Sequence, residues 1–197
     1  MERYPTDSGY TVDAYFDLVK QGLLAEDDRV ELLEGVIVAE PPMDPPHASA
    51  VAGAAEALRR AVGDRALVRE DKPLIAGERS VPEPDVAVVP GQASDYHRRH
   101  PTTALLVVEV AESSLQQDRL SKSRIYAGAG FPEYWIVNIR DEQVEIFRAP
   151  DRAQRIYAEQ SVAGRGEHIA LVAFPDASVP VDALLPWPER PRDGDSL

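Results

Sequence analysis

Residues 104–139 read ALLVVEVAESSLQQDRLSKSRIYAGAGFPEYWIVNI, and their pattern is the main guide to the architecture of this chain. Residues 104–111 form an apolar run, residues 113–129 carry apolar side chains at helical spacing, and residues 134–139 are again apolar. The pattern predicts a strand, a helix that ends at Gly130 before Pro132, and a second strand. A strand–helix–strand unit of this kind favours two parallel strands joined by a right-handed crossover.

The flanking sequence predicts further strands and two more helices on the same sheet. The N-terminal half predicts a helix over 11–20 with Thr11 as N-cap, a hairpin that turns at Glu34–Gly35, and a helix over 47–62 after the irregular PPMDPP of 41–46. Further strands are predicted at 67–70, 73–75, 85–89, 143–147, 155–162 and 168–172. This order indicates an α/β (α+β) fold, a mixed β-sheet flanked by helices.

Length and composition limit the class of protein. The 197 residues suit one domain, which we place at 1–187, with a charged, proline-rich tail at 188–197. The absence of cysteine excludes disulfide scaffolds, thiolate zinc sites and cysteine nucleophiles. The N-terminus lacks the pattern of a secretory signal, and the apolar runs are shorter than the ~20 residues of a membrane span. We therefore expect a cytoplasmic protein without a membrane partner.

The chain is strongly acidic, with a formal net charge of −13. Generic nucleic-acid binders carry a basic footprint that this composition lacks. A phosphate-bearing ligand would therefore need a local basic patch or a bound cation. An excess of carboxylates suits a site for a divalent metal, although most acidic residues serve only to keep a surface soluble.

Three residues are candidates for chemistry: Asp85 at the entry of an apolar strand, Glu109 inside the run LLVVEV, and Lys122 on the following helix. Each also has a structural explanation. Asp85 could bond local backbone groups, Glu109 could face solvent or belong to a buried ion pair, and Lys122 could form an exposed helix pair with Asp118. Taken together, two carboxylates on neighbouring strands and a lysine on the next helix predict one cluster of oxygen ligands and a cation.

The sequence resembles the PD-(D/E)XK nuclease superfamily and, within it, the bacterial family of putative restriction endonucleases. The resemblance rests on an ordered set of segments over roughly residues 10–186: 31–35 (ELLEG), the proline-rich turn before His47, 84–88 (PDVAV), 107–110 (VVEV), Asp118, Lys122, Tyr126 and 129–137 (AGFPEYWIV). One position departs from the superfamily pattern, which has lysine two residues after the second carboxylate, where this chain has Ala111.

The resemblance implies a restriction-endonuclease-like core and a metal-dependent endonuclease that hydrolyses DNA. Asp85, Glu109 and the carbonyl of Val110 would hold Mg²⁺ or Mn²⁺. The missing lysine would be replaced by Lys122, on the helix. Lys122 would orient a water, help to deprotonate it, or stabilise charge on the phosphorane.

Several further residues are weaker candidates. In the superfamily an early glutamate often approaches the metal, which makes Glu34 and, slightly less, Glu31 accessory candidates. His47 begins a helix and could reach the site. Basic residues could contact phosphates in two places: Arg119 and Arg124 on the helix of Lys122, and Arg98 and Arg99 in the preceding loop.

Two alternatives stay open at this stage. The chain could be a catalytically silent member of the fold, a nucleic-acid-binding or oligomerising module, which Ala111 and the acidic charge favour. Glu109 could also be only a structural member of a buried ion pair. Because cleavage of both strands of a duplex calls for two sites, we expect a homodimer.

Overall fold

The structure is a computed structural model that describes residues 9–25, 28–40, 42–112 and 114–186. The helices are α1 (Val12–Lys20), α2 (Pro45–Val62), α3 (Leu115–Gln117) and α4 (Ser123–Ala129), with a π-helical turn over Asp118–Lys122 between the last two. The strands are β1 (Val30–Leu33), β2 (Val36–Ala39), β3 (Leu67–Glu70), β4 (Val86–Val89), β5 (Leu106–Ala111), β6 (Glu133–Asn138), β7 (Gln143–Asp151), β8 (Ile156–Gly164), β9 (His168–Ala170) and β10 (Ser178–Pro180). The predicted tail at 188–197 lies outside the described residues.

A six-stranded mixed sheet forms the centre of the fold, in the order β3-β4-β5-β6-β7-β8. Strands β5 and β6 are parallel, with Val108 opposite Trp135, and the other neighbours in this sheet are antiparallel. The helical segment that joins β5 to β6 is the predicted connection between parallel strands. The predicted class, helices on a mixed sheet, is therefore confirmed.

The two faces of the sheet carry different cores because side chains of a strand alternate. On β5, Val108 and Val110 face the alanine-rich helix α2, whose small side chains allow a close approach to the sheet. Val107 and Ala111 belong to the opposite core, which α4 covers. By the same alternation Glu109 points toward the α4 face.

The β1–β2 hairpin turns where the sequence predicts it. Glu34 has φ 50° and Gly35 has φ 87°, the pair of positive values that a two-residue hairpin turn of the favoured type needs. An isolated bridge between Leu32 and Val81 then holds the hairpin against the segment that leads into β4. This contact brings Glu31, the acidic residue of β1, to the end of the main sheet.

Two local predictions are wrong. Helix α2 begins at Pro45, inside the segment expected to be irregular, because Asp44 caps it and proline is tolerated in a first turn. Residues 73–75 form no strand. The N–H of Leu74 instead donates to the carbonyl of Pro82 (2.9 Å), and the N–H of Ile75 donates to the carbonyl of Pro101 (2.9 Å). Among the described residues, no helix is long and apolar enough to cross a membrane.

The predicted helix over 113–129 contains a π-helical turn that no sequence pattern indicated. Such turns are rare and occur often at functional sites. Asp118 and Lys122 lie at its two ends and are only 2% and 7% exposed. The alternative of an exposed Asp118–Lys122 pair is therefore wrong, since both side chains turn toward the sheet.

Candidate active site

The register of the sheet places Asp85 and Glu109 side by side. Strand β4 pairs with β5 through Val86 opposite Val108, and Asp85 directly precedes β4; the same register extended by one residue would set Asp85 opposite Glu109. Directly opposed residues of an antiparallel pair share a face, with Cβ atoms about 5 Å apart. Two like charges in this position repel each other, so their neighbours must supply compensating donors.

Asp85 is held at both of its oxygens. Its Oδ2 accepts the backbone N–H of Val110 at 2.6 Å, and its Oδ1 lies 3.0 Å from Nε2 of His47. The Val110 N–H is free for this bond because β4 ends at Val86 and no strand continues opposite it. The N–H and C=O of one strand residue point to the same side, so the Val110 carbonyl also faces the pocket.

The imidazole of His47 reaches Asp85 from the first turn of α2. The hydrogen bond to Asp85 raises the pKa of His47; burial lowers it by less, and the charges of Asp85, Asp44 and Asp71 raise it further. His47 therefore favours its protonated form beside Asp85. The structure brings this sequence-predicted residue into contact with the candidate site.

Glu109 and Lys122 form a buried ion pair that a second glutamate joins. Nζ of Lys122 lies 3.1 Å from Oε2 of Glu109 and 3.3 Å from Oε1 of Glu31. The hydroxyl of Tyr126, one turn after Lys122 on the same helix, donates to Oε1 of Glu109 at 2.5 Å. The N–H of Glu83 donates to Oε1 of Glu31 at 2.6 Å, so each carboxylate has a fixed orientation.

The charges around Lys122 keep it protonated. Burial alone would lower the pKa of Lys122, but Glu109, Glu31, Asp118 and Asp85 raise it well above its usual value. A raised pKa favours the ammonium form of Lys122 and disfavours a role as general base. The ammonium group can position a phosphate or a water and stabilise negative charge that develops during a reaction.

These groups line a small, strongly acidic pocket of about 90 Å³, roughly the space of three waters. Eight carboxylates line it, against Arg29, Lys122 and His47 on the basic side. Burial and the charges of Glu31 and Glu83 raise the pKa of Glu40 to about 7. Burial, followed by the charges of Asp85 and Glu31, raises the pKa of Asp118 to about 6. The pocket therefore has more negative charge than its own cations neutralise.

The donor set fits a hard divalent cation in its chemistry. Mg²⁺ binds through one or two carboxylates and keeps several waters, and Asp85, Glu109 and the Val110 carbonyl offer such oxygens on one side of the pocket. Within the described residues, however, no three acidic or histidine side chains converge as a ready-made metal site. The excess negative charge of the pocket is the feature that a cation would relieve.

Three other residues that the sequence predicted for the site lie away from this pocket: Glu34, Arg119 and Arg124. Glu34 is at the hairpin tip, where its carboxylate is bound by Arg124 and by Arg155, the latter at 2.5 Å. The structure therefore places Glu31, rather than Glu34, with the candidate site. Arg119 forms two hydrogen bonds to Glu145, at 2.8 and 2.5 Å, and does not line the pocket.

The remaining predicted basic residues, Arg98 and Arg99, are exposed in the loop before β5 and do not line the pocket either. Sequence reasoning also missed several members of the pocket, namely Arg29, Glu40, Asp44, Glu83 and Glu112. Of these residues, Glu83 alone could have been suspected from the sequence, because it lies two residues before Asp85 in Pro82–Glu83–Pro84–Asp85.

The Glu34 ion pairs are expected to make stability depend on pH. Burial alone would raise the pKa of Glu34, but Arg155 and Arg124 lower it below its usual value. A carboxylate with a lowered pKa stabilises the fold above its usual pKa, and this contribution disappears as pH falls through the folded pKa. Glu34→Gln should therefore lower the unfolding temperature by about 2–4 °C near pH 7, the equivalent of about 1 kcal/mol, and by less near pH 3.

Glu78→Gln is the control for that experiment. Glu78 lines the same surface depression as Glu34, but it forms no salt bridge with the described residues. Thermal unfolding of both variants across this pH range provides the measurement. An equal effect of Glu34→Gln at both ends of the range would contradict the prediction.

Known proteins of similar sequence or similar fold indicate the family of this chain. A family model described as "Putative restriction endonuclease" (Uma2) matches residues 12–182. A solved structure of a putative nuclease belonging to DUF820 from Anabaena variabilis is similar in fold, with a TM-score of 0.70 at 15% sequence identity. The match covers 89% of this chain and 97% of that one.

A second solved structure, the type IIG restriction endonuclease BpuSI, matches with a TM-score of 0.39 at 18% identity. The match covers 58% of this chain and 12% of the much longer BpuSI chain. No curated protein matches the sequence. The family match extends over the segments that carry Asp85, Glu109 and Lys122.

Proposed function

Because this chain belongs to the Uma2 family of restriction-endonuclease-like proteins, we propose that it is a divalent-metal-dependent endonuclease that hydrolyses phosphodiester bonds of DNA. One observation carries the proposal. Asp85, directly before β4, and Glu109, on the neighbouring strand β5, line one pocket, and Lys122 is ion-paired to Glu109 at 3.1 Å. Two carboxylates beside an ammonium group match the chemistry that metal-assisted phosphate hydrolysis needs.

Each residue has a distinct role in this proposal. Asp85, Glu109 and the Val110 carbonyl would hold Mg²⁺ or Mn²⁺, which supplies Lewis-acid polarisation of the phosphate and a lowered pKa of water. His47 and the Val110 N–H orient Asp85 through its two oxygens. Tyr126 orients Glu109.

Lys122 replaces the motif lysine in function although it comes from the helix. Ala111 occupies the motif position and is fully buried on the α4 face. Lys122 reaches Glu109 from that same face, so the ammonium arrives where a lysine two residues after Glu109 would have pointed. Its raised pKa favours stabilising negative charge on the phosphate over removing a proton from water.

Incubation of supercoiled plasmid DNA with the purified protein tests the proposal. We expect nicked and linear products in Mg²⁺ or Mn²⁺ and none in EDTA, since the carboxylates alone cannot polarise the phosphate. Intact plasmid in both metals, under conditions where the protein is folded, would contradict the assignment.

A second candidate function is a catalytically silent binding module. The absence of a ready-made group of three ligands among the described residues favours it, as does Ala111. A silent module would bind DNA equally well in EDTA and in Mn²⁺ and leave the plasmid intact. Calorimetric titration with Mn²⁺ then separates the two functions, because the endonuclease requires the cation to bind in the acidic pocket.

The endonuclease proposal includes a homodimer, since two equivalent sites would allow both strands of a duplex to be cut. Analytical ultracentrifugation measures this directly. A protein that stays monomeric, with and without DNA, and only nicks the plasmid would restrict the proposal to single-strand cleavage.

A further inference from the structure

A second depression lies beside the acidic pocket and has the opposite character. It is a groove of about 450 Å³ between the loop 76–80, the tip of the β1–β2 hairpin, α4 and the turn between β7 and β8. Three arginines line it, Arg79, Arg152 and Arg155. In a chain with a net charge of −13, such a concentration of arginine is a distinct local feature.

Two carboxylates, Glu34 and Glu78, also line the groove, so its arginines outnumber its acids by three to two. Glu34 binds Arg155 and also Arg124, so one carboxylate is shared by two guanidinium groups. Arg79 and Arg152 form no salt bridge with any residue of the described ranges. Their donors are therefore available to an anion that enters the groove.

Glycines hold these arginines in place. A Cβ on Gly128 would come within 3.1 Å of Nε of Arg155, and one on Gly130 within 2.8 Å of Cδ of Arg152. Arg79 lies in the same way over Gly35. Each arginine side chain thus packs closely against a backbone position that has no side chain of its own.

The groove and the acidic pocket share two elements. The β1–β2 hairpin contributes Glu31 to the pocket and Glu34 to the groove, and the helical segment contributes Lys122 to the pocket and Gly128 to the groove. Six residues of helix span about 9 Å.

We propose that this groove binds the backbone phosphates of the DNA strand whose scissile bond lies in the acidic pocket. The inference rests on the proposed function and adds the anchoring surface which that function lacks. The carboxylates of the pocket repel a polyanion, so substrate must be held by positive charge elsewhere on the protein. Arg79 and Arg152, which form no salt bridge with the described residues, are the groups best placed to do this.

Fluorescence anisotropy with a labelled single strand and the matching duplex, in EDTA and over a salt series, tests the inference. The double variant Arg79→Gln/Arg152→Gln should bind both probes about tenfold more weakly than the wild type. The slope of log affinity against log salt should fall by about 0.7 per lost contact for the single strand and about 0.9 for the duplex.

The matched control is Arg59→Gln/Arg60→Gln, which removes the same charge from the last turn of α2, about 18 Å along the helix from His47. It should retain most of the affinity and the slope. Gly128→Ala provides a further arm, because it displaces Arg155 without a change in net charge and alanine is a good helix former. This variant should also bind more weakly.

Equal binding by the groove variant and the control, or no binding of either probe by the wild type, would overturn the inference. Failure of the proposed function gives a different result. If plasmid stays intact in every metal while affinity in EDTA depends on Arg79 and Arg152, hydrolysis is refuted and the groove stands. If plasmid is cleaved and the groove variant binds normally, the groove alone is refuted.

Discussion

Asp85→Asn is expected to reduce metal-dependent cleavage of DNA by about 10³-fold or more, which corresponds to about 4 kcal/mol of transition-state stabilisation. Asparagine keeps an oxygen that can accept the Val110 N–H, so the local fold is preserved. It loses the negative charge and one donor oxygen for the cation. The loss should therefore appear in the rate of plasmid cleavage and in Mn²⁺ affinity, while the unfolding temperature changes little.

The control is Asp17→Asn, at an exposed position on α1 where the carboxylate forms an ion pair with Lys20, at 3.4 Å. This variant should cleave DNA at the wild-type rate. Cleavage by Asp85→Asn at a similar rate would show that Asp85 has only a structural role, as a partner of the Val110 N–H. Loss of cleavage with unchanged Mn²⁺ affinity would place the cation elsewhere.

The sheet and the pairing of the two acids could be predicted because they depend on short-range patterns. The apolar runs and the Gly130–Phe131–Pro132 break define β5, the helix and β6, and this order makes the strands parallel. Asp85 and Glu109 lie on neighbouring strands, and their meeting then follows from the antiparallel register.

The rest of the site depends on tertiary contacts that leave no local pattern. Glu31 and Glu34 are three residues apart on one hairpin, and only the bridge between Leu32 and Val81 decides that Glu31 turns into the acidic pocket. Glu40 joins the pocket for a similar reason, because its backbone N–H bonds to the carbonyl of Arg29 at 2.9 Å across the hairpin. A periodicity argument cannot choose between such positions.

The basic residues show the same limit. Arg119 and Arg124 lie on the predicted helix, yet both are bound by acids from distant parts of the chain, Glu145 and Glu34. The π-helical turn was also beyond prediction, because helix propensity does not distinguish it from a regular α-helix. It matters for the site, since Lys122 ends this turn and is 7% exposed.

Lys122→Met is expected to destabilise the fold and to reduce cleavage, through two separable effects. Methionine keeps a similar shape but leaves Glu109 and Glu31 buried without their ammonium partner. Removing one member of a buried ion pair costs about 3–5 kcal/mol, which lowers the unfolding temperature of a chain of this size by about 10 °C. Thermal unfolding in EDTA measures this effect, and Lys20→Met at an exposed position should change little.

The double variant Lys122→Met/Glu109→Gln identifies the source of the loss. If the uncompensated charge of Glu109 causes it, the double variant should unfold at a higher temperature than Lys122→Met alone, with a coupling of about 2 kcal/mol. Additive effects would contradict the ion pair as the cause.

Mn²⁺ should likewise stabilise Lys122→Met more than the wild type, because a cation can take the place of the ammonium between the two carboxylates. Cleavage should nevertheless stay about 10²-fold below the wild type at temperatures where Mn²⁺ has restored the fold, since the metal does not replace the positive charge next to the phosphate. A variant that regains full activity together with its stability would make Lys122 a purely structural residue.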